Sequence, residues 1–229
     1  NASCLATGVA ASALGTAING GSSQIESVTG GNPNLREETS DTWTAGVVLQ
    51  PGFLPRFTAT VDYYHISIDN YISTPGTANI IAACYGTAAN GWTPYDSSYC
   101  SLLPRNADSY AIEGAENLLS NTGGLKTEGV DFEVNYSVPL NFGVFGAKSG
   151  KLAFRVAGTR LIRFDLNPVA AIPDLNQSCA GKFGVYCGNP YSKLRLNNRI
   201  TWTSGPITLG LTHRYLSSVK DDDATTTYS

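Results

Sequence analysis

The 229-residue chain is poor in charge. Its 15 basic and 18 acidic residues make up only 14% of it, against roughly 25% in an ordinary soluble domain. Methionine is absent and histidine occurs twice. No uniform apolar run reaches the about 20 residues that a transmembrane helix needs. Residues 1–24 are uncharged, but Gly8, Gly15, Gly20 and Gly21 interrupt them. No basic segment precedes them, so they do not read as a signal peptide. A net charge of −3 offers no basic face to neutralise phosphate, which argues against nucleic acid as a partner. His65 and His213 both fall inside strand patterns, away from any nucleophile–acid arrangement. His65 shares parity with Tyr63 and reads as a girdle or core histidine. No glycine-rich phosphate loop precedes a helix. Asp221, Asp222 and Asp223 lack the alternating ligand spacing of a calcium loop and read as a solvated face. The sequence therefore gives no reason to expect catalysis, a cofactor or a metal.

Glycine, serine, threonine, asparagine and tyrosine fill the gap that charge leaves, with 24 Gly and 12 Tyr. This is the composition of β-structure with polar loops, and strict alternation is its strongest signal. Val130, Phe132, Val134, Tyr136 and Val138 point one way. Gly129, Asp131, Glu133, Asn135 and Ser137 point the other. The same split recurs in Trp43, Ala45, Val47 and Leu49, in Phe57, Ala59, Val61 and Tyr63, and in Leu152, Phe154 and Val156. It recurs again in Leu194, Leu196, Ile200 and Trp202, and in Ile207, Leu209, Leu211 and Tyr215. Six strands are predicted: about 42–50, 56–72, 117–138, 151–163, 193–203 and 206–219. The connections between them alternate short and long. In a chain of hairpins this puts every short turn at one end and every long loop at the other.

Five cysteines sit in the loops. Cys84 and Cys100 share one Tyr-rich segment, and Cys179 and Cys187 share another. Both pairs read as disulfides of an oxidising compartment, since neither has metal-site spacing. Cys4 is left over, either a lone buried thiol or the partner of a cysteine outside this sequence.

Two architectures alternate in this way. A soluble sandwich buries its apolar side. A transmembrane β-barrel turns that side to lipid and its polar side to a lumen. Long strands, alternating loop lengths and aromatics near strand ends (Trp43, Trp202, Tyr215, Tyr136) favour the barrel. Asp62, Asp131, Glu133, Arg155, Arg195, Arg199 and Arg214 would then face the lumen, pairing with one another or with a plug. Placing them there avoids the cost of a charge in lipid.

Three segments carry a family resemblance. "GGNPNLREETSDTWTAGVVL" resembles the Asn-Pro-x-Leu-x-Pro-Glu-x-Ser segment of TonB-dependent outer-membrane receptors, which leads from an extracellular loop into a barrel strand. "FTATVDYYHISIDNYIS" resembles the next strand, with its Asp-Tyr-Tyr-x-Ile-x-Ile core at Asp62 to Ile68. "LKTEGVDFEVNY" resembles the Thr-x-Gly-x-Asp strand at Thr127, Gly129 and Asp131. Glu37 stands where proline is usual, and its turn is looser for it. By this resemblance the chain is part of an all-β, antiparallel up-and-down transmembrane barrel. Residues 1–41 form an extracellular loop, 42–219 barrel strands and loops, and 220–229 the start of the next loop. Asn32, Pro33 and Asn34 form the last turn of the first loop, and Glu37, Glu38 and Asp41 hold it in water. The family's plug and closing strand are not in this sequence, and this favours an upstream partner for Cys4.

The resemblance implies energised uptake of a scarce small ligand at the outer membrane of a Gram-negative bacterium. Its partners would be outer-membrane lipid, the small-molecule ligand, the TonB energising complex acting through the plug, and a partner lipoprotein or other subunit. Siderophores, sugars, cobalamin and plant or peptide compounds are all ligands of such receptors. Tyr85, Trp92, Tyr95, Tyr99 and Arg105, in the first disulfide loop, are the candidate ligand-binding residues, because aromatic rings stack on flat or sugar ligands. In the same loop "TANIIAACYG" reads as a short helical turn. A passive porin-like channel and a secreted disulfide-bonded sandwich are the alternative readings.

Overall fold

The computed structural model describes residues 4–5, 7–15, 25–87, 91–170 and 172–222; Asp223 of the acidic run lies outside them. Six long strands stand where alternation predicts them: β1 (Thr39–Leu49), β2 (Phe57–Asp69), β3 (Gly124–Leu140), β4 (Gly150–Asn167), β5 (Leu194–Ser204) and β6 (Ile207–Leu216). They form one antiparallel sheet in the order β6-β5-β4-β3-β2-β1, and the short strand Gln177–Ser178 pairs with β4 as a seventh. Neighbours in sequence are neighbours in space, so the sheet is an up-and-down meander. It does not close into a barrel. Among the described residues no helix is long and apolar enough to cross a membrane. Each of the six strands has at least ten residues, the length at which a tilted strand crosses a bilayer.

Several strand ends differ from expectation. The tail of the predicted 56–72 strand and the head of the predicted 117–138 strand are detached two-residue strands, Ile72–Ser73 and Ser120–Asn121, paired with each other. The backbone explains the breaks: Asn70 adopts a φ of 54° and Gly124 a φ of 152°, and neither continues an extended L-residue chain. β6 ends at Leu216, three residues before the predicted limit.

The chain divides into two compact units: residues 41–67, 126–165 and 178–229 form one, and residues 1–40, 68–125 and 166–177 the other. The first holds most of the sheet. Its register sets Asn197 against Arg214 and Ala157, and Arg199 against Thr212 and Arg155. Residues directly opposite share a face, so the alternation of β4, β5 and β6 is in phase across the three strands. On the apolar face Trp43 packs against Tyr63 at 5.0 Å and His65 at 5.7 Å, and Phe57 against Tyr136 at 6.5 Å. His65 thus shares a face with Trp43 and Tyr63, as its parity predicts. Glycines let large side chains lie flat on the sheet. A Cβ on Gly129 would strike the hydroxyl of Tyr64, and one on Gly158 would strike Phe132 and Leu196. This apolar face is not covered by protein: Trp43 is 55% exposed, Leu209 60% and Leu211 68%. A soluble sandwich would bury these side chains.

The second unit contains the larger hydrophobic cores. Its helix α1 (Thr77–Tyr85) begins just after the Pro75–Gly76 turn and is stopped by Gly86, at a φ of 80°. Ala82 and Ala83 pack with Val169, Ile172 and Leu175, while Ile80 and Cys84 pack with Leu103 and Ala115. The Cys84–Cys100 disulfide joins the helix to a 3-10 turn, Ser97–Leu102. The predicted helical turn is therefore a full nine-residue helix, and the packing on its two sides is why. Asn117, buried, accepts from the Gly76 N–H at 2.9 Å and donates to Ser27 at 3.2 Å.

Candidate functional site

Side chains of the Asn-Pro-Asn-Leu-Arg-Glu-Glu stretch pin it to its own unit. Asn32 donates to the Leu119 carbonyl at 3.0 Å and accepts from the Asn34 N–H at 2.9 Å. Asn121 accepts from the Arg36 N–H and donates back to the Arg36 carbonyl. Glu38 accepts from the Ile72 N–H at 2.5 Å. Glu38 therefore does more than keep the turn in water: it fixes where the stretch enters β1.

On the polar face of the sheet, charge is sorted by strand. Asp62, Asp131 and Glu133 stand on β2 and β3; Arg155, Arg195, Arg199 and Arg214 stand on β4, β5 and β6. Glu133 meets Arg155 at 2.7 Å and accepts from Asn135. Thr159 donates to Asp131 at 2.5 Å. Arg199 bonds the hydroxyls of Thr201 and Thr212. Asp62 lies over Gly46. A concavity of about 540 Å³ is lined by Asp131, Glu133, Arg195 and Arg214 together with Thr60 and Asn197. A smaller one of about 330 Å³ holds Arg155 and Arg199. Of the seven charges, Glu133 and Arg155 form an ion pair with each other, and Asp131, Glu133, Arg195 and Arg214 line one concavity.

The second unit contains a cavity of about 380 Å³, lined by Cys4, Ile25, Ile81, Tyr85, Trp92 and Arg105, with Val9, Leu14 and Ile112. α1 supplies Ile81 and Tyr85. The loop after it supplies Trp92, whose backbone holds a φ of 61° and whose ring is 64% exposed. An isolated Arg105↔Ile112 bridge brings two more wall residues together. Arg105 donates to the Tyr110 carbonyl and, at 2.5 Å, to the Tyr85 hydroxyl. Its guanidinium carbon lies 5.8 Å from the centre of the Tyr85 ring, within cation–π range.

Of the five candidate ligand residues, the structure brings Tyr85, Trp92 and Arg105 to one cavity. Tyr95 and Tyr99 instead pack against the hydrophobic clusters around α1. Burial, and then the charge of Asp96, pushes the Tyr99 phenol above its usual range. Sequence reasoning missed the apolar wall (Val9, Ile25, Ile81, Ile112), because these residues lie far apart in the chain and no periodicity links them. It also missed Tyr110, which holds Arg105 through its carbonyl and so leaves no side-chain signal.

Both cysteine pairs form disulfides, Cys84–Cys100 and Cys179–Cys187. Among the described residues Cys4 has no disulfide partner. Asp222 caps the second disulfide loop, accepting from the backbone N–H groups of Tyr186 and Cys187 at 3.0 and 2.5 Å. The described residues contain no cluster of three or more metal-ligating side chains.

An antiparallel meander with one apolar and one charge-bearing face, long connections leaving one end, and disulfide-bonded loops defines a β-barrel receptor wall rather than a sandwich. The chain matches the family described as "TonB dependent receptor-like, beta-barrel" over residues 5–229. It belongs to that family, whose members are transporters and receptors rather than a class of enzyme. Membership implies a Gram-negative outer-membrane location, interaction with TonB and a small-molecule ligand. No curated protein and no solved structure matches the chain.

Proposed function

We propose that the chain forms part of the wall and loops of an outer-membrane TonB-dependent transporter that takes up a scarce small ligand. The single observation behind this reading is the family match over nearly the whole chain. The fold agrees with it: β1 to β6 carry an exposed apolar stripe that lipid would cover, and a polar face suited to a lumen. In this reading residues 1–41 and the long connections are extracellular, and the cavity around Arg105 captures the ligand. Asp62, Asp131, Glu133, Arg155, Arg195, Arg199 and Arg214 line the lumen. TonB acts through a plug that this sequence does not contain. A lipoprotein or other subunit is a further partner to seek.

The full-length protein in planar bilayers separates energised transport from passive conduction. A plugged transporter gives no steady conductance and binds the C-terminal domain of TonB. A persistent open channel with no TonB binding would replace this reading with the porin-like one.

A further inference from the structure

We infer that the cavity in the second unit binds an organic anion: an aryl or alkyl body on the apolar wall, with one carboxylate-like group meeting Arg105. This rests on the reading of the chain as a small-ligand receptor and adds the chemistry of the ligand. The volume of about 380 Å³ lies toward the lower end of the range for small-molecule sites. The wall is hydrocarbon and aromatic ring (Val9, Ile25, Ile81, Ile112, Trp92), and among the described residues Arg105 is the one charged residue lining it. A cation set against hydrocarbon is costly unless an opposite charge accompanies it. Among the described residues no carboxylate lies within ion-pair distance of Arg105; the two ion pairs are Arg155–Glu133 and Arg163–Asp165.

A guanidinium has five N–H donors. Tyr110 and Tyr85 take one each, and Nε is buried without a partner. Arg105 is thus held in place by two bonds and a ring face, yet keeps donor capacity and its whole charge. Such a group has already lost the rotamer freedom that binding would otherwise remove. An incoming carboxylate supplies the missing counter-charge through charge-assisted hydrogen bonds. A neutral ligand of the same shape supplies none, and a cation is repelled. Trp92 gives the body a large flat contact, and its left-handed backbone is the kind of local strain that concentrates at binding sites.

The test uses the full-length protein in lipid nanodiscs and three probes of one shape: 2-naphthoate, 2-naphthamide and 2-naphthylmethylammonium. Calorimetric titration is expected to show naphthoate binding about tenfold or more tighter than the amide, the factor a hydrogen bond to charge provides. The ammonium should not bind. Arg105→Gln should bring naphthoate down to the level of the amide. Trp92→Ala should weaken naphthoate and amide alike. Equal affinity for naphthoate and amide, a preference that survives Arg105→Gln, or no binding of any probe overturns the proposal. Where Arg105→Gln fails to fold, the naphthoate-to-amide ratio of the unsubstituted protein decides. Binding is read without TonB or an energised membrane. An open channel that still selects naphthoate through Arg105 therefore sinks the transporter reading and leaves the anion site standing.

Discussion

Gly129 shows how one missing side chain organises its surroundings. It lies on the polar face of β3, beneath the Tyr64 hydroxyl, and its absent Cβ would also stand 2.9 Å from the Arg160 carbonyl. Gly129→Val must displace a ring and a backbone oxygen together. Overpacking of this kind costs about 1–3 kcal/mol, and a lower midpoint of heat-induced unfolding on gels would register it. Tyr99 makes a second prediction. Its phenol titrates above the usual value near 10, chiefly because it is buried. A pKa raised on folding favours the protonated form, so this stabilisation is complete below pH about 10 and is lost as pH rises through the folded value. Absorbance titration should show a late-ionising tyrosine component that Tyr99→Phe reduces. The Cys84–Cys100 bridge, with a sequence separation of 16, should contribute about 3 kcal/mol. Replacing both cysteines with alanine should make residues 68–125 markedly more sensitive to limited proteolysis.

At the scale of elements, a polar pair interrupts the apolar face. Asn198 of β5 stands directly opposite His213 of β6, Val156 of β4 lies on the other side, and the Asn198 amide meets His213 Nδ1 at 3.2 Å. Both interrupt stripes of leucine, isoleucine and aromatics. In lipid neither group has water to turn to, so each depends on the other. Asn198→Ala alone should cost about 1–3 kcal/mol, the penalty of an orphaned polar group, while Asn198→Leu with His213→Leu should be close to neutral. Unfolding titrations of the four combinations in lipid check this, and additive losses would mean that water reaches the pair. The faces can also be tested singly. Leu211→Arg should cost about 2–4 kcal/mol near the bilayer midplane, whereas Thr60→Lys, which shares a cavity with Asp131, should be tolerated. The sequence made much of this legible. Alternation located all six strands and set Trp43 and Leu211 on the exposed apolar side, because a two-residue period is a property of the extended backbone itself. The pairing of Asn198 with His213 depends on register, which no single strand encodes. Likewise Tyr85, Trp92 and Arg105 were chosen from one loop, while the wall they share with Val9 and Ile25 depends on a fold of that loop that has no period.

For the whole molecule, the open sheet has two unpaired edges, β1 and β6. Backbone groups at such an edge find no hydrogen-bond partner in hydrocarbon. These 229 residues alone should therefore fail to insert as a monomeric conducting pore. Liposome conductance measures this, and a stable single-chain channel would contradict it. The compact unit around α1 raises a different matter. It is stitched from residues 1–40, 68–125 and 166–177, so its core joins Ser27 to Ala115 and Ala83 to Val169 across long stretches of other structure. Contacts of such high sequence separation form late, because the chain between must first surrender its freedom. The Arg105 cavity, walled by residues as distant as Val9 and Ile112, is then among the last features of the molecule to mature. On the reading proposed above, a nascent receptor would be blind to its ligand until most of its chain had found its place.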